Sequence, residues 1–191
     1  MPEIADHGNT AVSIAMTCSR SLGVTQMRHV LPDLLRPNLS VIFCGTAAGT
    51  VSAEAGAYYA HPHNKFWGIL QEIGLTPFKL QPHEFGRLLD FGIGPTDLVK
   101  DAHGHDGIVR RATAADREAL RAKIEILKPS FLAFTSKNAG KQFLGGTISL
   151  GPQIPIKATK VFVLPSTSPA ARWQWGETFK HWHDFAKEVR T

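Results

Sequence analysis

Only two of the 191 residues are cysteine, Cys18 and Cys44. Two thiols cannot complete a four-cysteine zinc site or hold an iron–sulfur cluster. In a reducing compartment they are not expected to pair. No apolar run reaches the length of a membrane span, so no membrane partner is expected. The first thirty residues lack a basic start followed by a continuous apolar block, and no signal peptide is read there. They are weakly patterned and are expected to form a mobile leader, with one domain over 31–191 and a cytoplasmic location. Long Lys/Arg runs are missing too, which argues against a purely electrostatic binder. The formal charge of +5 nevertheless suits a polyanionic partner such as nucleic acid. Three His-x-His pairs occur, at His61/His63, His103/His105 and His181/His183. None has a carboxylate or cysteine at familiar metal spacing, and neither a metal nor a cofactor is expected.

What is present is a core. Hydrophobic residues make up 43% of the chain, too many for a disordered one. Short apolar runs at Val41–Cys44, Phe131–Thr135 and Val161–Leu164, with a weaker one near Ile93–Val99, read as strands buried on both faces. Helical patterns lie between them. One covers Asn64–Ile73, and another follows Pro82 to Leu89. A third sits behind a Thr113 cap with Asp116 in its first turn. Ser136 caps a short helix to Leu144, and the last helix spans Glu177–Val189. Alternating strands and helices predict an α/β three-layer sandwich around a mainly parallel sheet. Cys44 falls inside the first strand, where a free thiol behaves as a small hydrophobe.

In such folds ligands bind at the carboxyl ends of the strands. Two loops leave those ends with unusual composition. Gly45-Thr46-Ala47-Ala48-Gly49 is small enough for backbone N–H groups to approach a ligand, yet it carries no acid, amide or histidine. It is neither a Walker loop nor GxGxxG, and a plain strand-to-helix turn fits it equally. Behind it come Tyr58 and Tyr59, flat rings that either stack on a nucleobase or fill the core. The second loop, Pro165–Trp173, offers Ser166, Thr167, Ser168 and Arg172, residue types that contact phosphate. Asp97 and Asp101 are the nearest acids outside these loops.

In order and spacing, "LLRPNLSVIFCG", "YYAHPHNKFW", "LLDFGIGPTDLV" and "VFVLPSTSPAAR" resemble the uracil-DNA glycosylase superfamily, over about Leu31 to Val189. The mismatch-specific uracil/thymine branch is the most similar, and "YYAHPHNKFW" also resembles the hypoxanthine-DNA glycosylase branch. The resemblance implies a four-stranded parallel sheet flanked by helices. It also implies a monomeric, cofactor-free, monofunctional enzyme that flips uracil out of DNA and hydrolyses its N-glycosidic bond. In the mismatch-specific branch the first loop reads Gly-Ile-Asn-Pro-Gly, and its Asn positions the attacking water; here that residue is Ala47. The resemblance places Gly45, Thr46, Ala48, Tyr59 and His61 around the base, and Ser52 matches a pocket serine. Asn64 is the first candidate for the missing polar group, with capping of the following helix as its alternative, and Asp97 and Glu54 come after it. Ser166, Thr167, Ser168, Ala170 and Arg172 would clamp the DNA. Two rivals stay open: a protein that binds uracil or abasic DNA without cutting it, and a glycosylase preferring hypoxanthine or mismatched thymine.

Overall fold

The computed structural model describes residues 29–171 and 175–191. Most of the expected leader, with Cys18, lies outside the described residues, as do Arg172 and Trp173. Four parallel strands form the body of the sheet: β1 (Val41–Gly45), β2 (Ile93–Asp97), β3 (Phe131–Phe134) and β5 (Thr159–Val163). The expected sheet had four strands; the structure adds a fifth. The strand β4 (Gly151–Ile156) pairs antiparallel with β5, giving the order β2-β1-β3-β5-β4. Its sequence, GPQIPI, holds two prolines and carries no buried apolar run. An edge strand tolerates this, because only one side of it must donate to the ladder.

Each strand shows its two faces to different cores. Val41 and Phe43 join Phe131, Ala133 and Phe162 against α2 (Phe66–Glu72) and α5 (Trp175–Arg190). Ile42 and Cys44 join Leu132, Phe134, Val161 and Val163 against α3 (Ala114–Leu127) and α4 (Lys137–Leu144). Alternating side-chain direction along a strand buried on both faces makes the sandwich three-layered. Cys44 is fully buried, and burial pushes its thiol well above the usual range.

Local signals set the helix starts. Thr113 accepts the Asp116 N–H while the Asp116 carboxylate accepts the Thr113 N–H, a reciprocal capping box. Ser136 accepts the Ala139 N–H at the head of α4. A short helix, α1 (Thr50–Ala55), follows the first loop directly. The segment Pro82–Phe91 winds as a 3₁₀-helix and ends at Gly92, whose φ of 71° is left-handed. Among the described residues no helix is long and apolar enough to cross a membrane.

Candidate active site

The carboxyl ends of β1, β2, β3 and β5 open into one cleft of about 770 Å³. The first loop, the Tyr58–Asn64 segment and the Ser166–Ala171 segment form its walls. Of the site residues named from the sequence, all but Glu54, Asp101 and Arg172 line it, and Arg172 is not among the described residues. Glu54 is exposed and does not line the cleft. Thr135, Ser136, Asn138, His105 and Asp106 also line it and were missed. Thr135, Ser136 and Asn138 follow β3 directly, so the rule that located the other two loops would have found them.

The loop carbonyls are occupied. Gly45, Thr46 and Ala48 accept the N–H groups of Leu98, Val99 and Gly104, which lock the loop after β2 onto the loop after β1. Tyr59 holds a left-handed backbone with φ of 52°, costly for an aromatic residue. Three contacts hold it there. Ser52 Oγ accepts the next N–H, from Ala60, at 3.0 Å. Tyr59 Oη lies 3.2 Å from Thr135 Oγ1. The Tyr59 ring stacks on Phe66 with centroids 3.8 Å apart and planes 20° apart. Phe66 thus covers one ring face, and a base can use only the other. Burial pushes the Tyr59 phenol far up, so it stays neutral.

Asn64 is committed to structure through its oxygen. Oδ1 accepts the Phe66 N–H at 3.0 Å at the start of α2. The N-cap is Lys65, so this is an Asx turn one residue ahead of it, and α2 begins two residues later than the sequence pattern suggested. The Asn64 Nδ2 makes no hydrogen bond among the described residues. His61 Nδ1 accepts the His63 N–H at 3.1 Å.

The second loop is tied at two points near its start. Thr167 is buried, and its carbonyl accepts the Lys65 N–H at 3.1 Å, joining this loop to the Tyr58–Asn64 wall. Trp182 Nε1 donates to Pro165 O at 3.1 Å from the middle of α5. Ser166 Oγ and Ser168 Oγ accept the N–H groups of Ser168 and Ala170. Both hydroxyl protons remain available as donors. Ala170 is exposed at the rim.

Two acids, Asp33 behind the cleft and Asp97 on its floor, are in opposite states. Asp33 binds Lys100 at 2.7 Å and Lys123 at 2.5 Å, and Thr96 Oγ1 donates to it at 2.5 Å. Burial works against its charge, but Lys100, Lys123 and Thr96 outweigh it and hold the carboxyl at about 2. Asp97, on the last residue of β2, is 7% exposed and receives no hydrogen bond from the described residues. Burial pushes its carboxyl up to about 7; Lys100 pulls it down, and Asp33 pushes it up. Lys100 is already paired to Asp33, so Asp97 has no counter-ion of its own among the described residues.

An open α/β sheet with a cleft at its strand ends, an aromatic wall and a hydroxyl-rich loop defines the class: an α/β protein with a ligand-sized site at the carboxyl ends of its strands. The chain belongs to the uracil DNA glycosylase superfamily, whose family model matches residues 32–190. Membership assigns it to the DNA glycosylases, with DNA as the substrate polymer. Its fold is similar to the solution NMR structure of a "putative Uracil DNA glycosylase" from Methanosarcina acetivorans, with a TM-score of 0.58 and 19% identity. That match covers 86% of this chain and 99% of the other.

Proposed function

We propose that the protein is a monofunctional uracil-DNA glycosylase that acts as a monomer without a cofactor and leaves an abasic site. The observation that carries this reading is the convergence of both loops and the Tyr59 ring on one cleft. The flipped uracil stacks on the face of Tyr59 that Phe66 leaves open. The small residues Gly45, Thr46, Ala47 and Ala48 allow the base edge to approach the backbone, and His61 closes the opposite side. Cleavage builds negative charge on the departing base, and fixed N–H donors aimed at it lower the barrier. Asn64 Nδ2 is one such donor. Ser52 acts by holding Ala60, and through it the Tyr59 turn. Ser166, Thr167, Ser168, Ala170 and Arg172 form the DNA clamp.

Ala47 favours a second reading, a protein that binds the lesion without cutting it. Single-turnover excision on single-stranded U, U:A, U:G, T:G and hypoxanthine oligonucleotides separates the two. Uracil release supports the glycosylase; binding without release of any base overturns it. Preferential release of thymine or hypoxanthine would reassign the substrate.

Two further outcomes follow from the geometry. Asn64→Ala is expected to lose about 1 kcal/mol of stability with the Phe66 hydrogen bond. It should also slow excision by roughly 10–100-fold through the lost donor. Stability and single-turnover rate, measured together, check this; an unchanged rate confines Asn64 to the Asx turn. A second cavity, of about 510 Å³, meets the cleft at Asn138 and is lined by Arg111, Arg117 and Lys141 with no acid. The double variant Arg111→Ala, Lys141→Ala should weaken binding of all DNA sequences alike and lower the salt slope by about 2. An unchanged slope would remove this surface from the DNA path.

A further inference from the structure

We propose that Asp97 is the catalytic base of the glycosylase reaction, supplying from β2 the polar group that the first loop lacks at Ala47. The inference rests on the glycosylase reading above and adds to it the residue that handles the water.

Three observations carry it. The first is position. Gly45 and Asp97 are register partners at the ends of adjacent parallel strands, and both line the floor of the cleft. The second is reach. A Cβ built on Gly45 would collide with Asp97 Oδ1, with Asp97 Cγ next at 3.7 Å and Thr135 Oγ1 at 3.9 Å. The carboxylate therefore leans across the end of β1 towards the first loop, through space that only glycine leaves open. The third is the missing partner. Buried carboxylates are normally hydrogen-bonded or paired, as Asp33 is, yet no described residue donates to Asp97. A buried acceptor facing a cleft and left unfilled by the described residues suits a water held for reaction.

The step balances as a hydrolysis. The C1′–N1 bond of deoxyuridine breaks, and its electron pair leaves with the base as the uracil anion. The water oxygen bonds to C1′, and one water proton passes to the Asp97 carboxylate. Uracil and Asp97 then exchange protons with solvent. The products are uracil and an abasic site carrying a 1′-hydroxyl. No oxidant, metal or second substrate enters.

The base must be ionised, so its titration is visible in the rate. Asp97 is faced by Lys100 and Asp33 on one side, and by Cys44, Tyr58 and Tyr59 from β1 and the wall. His105 and Asp106 lie on the same cleft's rim, with His61 on its wall. Burial and Asp33 outweigh Lys100, so the carboxyl loses its proton near neutrality. Release should rise about tenfold per pH unit on the acid side and level off above that point. The stability sign is opposite. Between the ordinary value of 3.8 and about 7 the folded state keeps a proton that the unfolded state has lost, so stability falls as pH rises through that window. Asp97→Asn should therefore melt no lower than wild type at pH 8.

The test is single-turnover release from uracil duplex by wild type, Asp97→Asn and Asp97→Ala across roughly pH 5.5–9, which takes in both the acid limb and the plateau. Binding is read in parallel on duplex carrying 2′-fluoro-2′-deoxyuridine, which resists cleavage. The proposal expects both variants to release uracil about 100-fold or more slowly, without the acid limb, while binding within a few-fold of wild type. Wild-type-like release by Asp97→Asn overturns it. So does a wild-type rate that falls as pH rises, because the neutral carboxyl would then be the active form. Failure of wild type itself to release any base, with binding intact, overturns the glycosylase reading instead and takes this proposal with it.

Discussion

Gly45→Ala is expected to slow base release about 100-fold or more while DNA affinity stays within a few-fold. The added methyl would occupy the seat of Asp97 Oδ1. Asp97 cannot swing far, because its backbone is paired to β1 and its side chain is buried. The overpacking should cost about 1–3 kcal/mol of stability, the usual penalty for an extra carbon in a filled site. Single-turnover kinetics, equilibrium binding and a thermal melt on the same preparation decide the matter. Rate loss with affinity preserved assigns the defect to the chemical step. A near-wild-type rate would mean that the carboxylate need not sit where β1 lets it sit.

Trp182→Ala carries the largest stability loss. Trp182 is fully buried, with its ring centroid 5.6 Å from that of Phe43 and 6.3 Å from that of Phe66. Removing it should cost about 3–5 kcal/mol, from a total of roughly 5–15 kcal/mol for a domain. The melting temperature should drop by about 10 °C or more. The functional part of its role is separable. Trp182→Phe keeps most of the ring but deletes the Nε1–H that holds Pro165 O, at a cost of about 1–3 kcal/mol. Because Pro165 opens the Ser166–Ala171 wall, this variant should bind uracil duplex more weakly than its small stability loss explains. Titration with the fluorinated duplex reads the effect. Affinity equal to wild type would show that the loop keeps its shape without the α5 tether.

Much of the architecture was written locally. The runs at Val41, Phe131 and Val161 are apolar on both faces and punctuated by glycine, proline or serine, so strand type and order could be read without knowing any contact. The caps at Thr113 and Ser136 work within three residues of themselves. The two cleft loops were legible because ligands in parallel sheets gather where strands end, a rule that needs only the positions of the strands. The antiparallel β4 was not legible. Its pairing with β5 depends on hydrogen bonds made across the hairpin, and Gly-Pro-Gln-Ile-Pro-Ile has no pattern of its own.

Residue patterns along the chain specify an α/β fold with two candidate loops at its strand ends, and a first loop that carries no acid, amide or histidine. They ranked Asn64 above Asp97 because Asn64 sits inside a recognisable motif. The bond from the Phe66 N–H to Asn64 Oδ1 is local, two residues apart, but that no described residue donates to Asp97 follows from the tertiary structure. The reason is that burial and pairing are properties of neighbours distant along the chain. Asp97 lies 52 residues after Gly45 and touches it because β2 was added at the outer side of β1. Asp33, before either strand, takes the nearby Lys100 and so leaves Asp97 without a partner among the described residues.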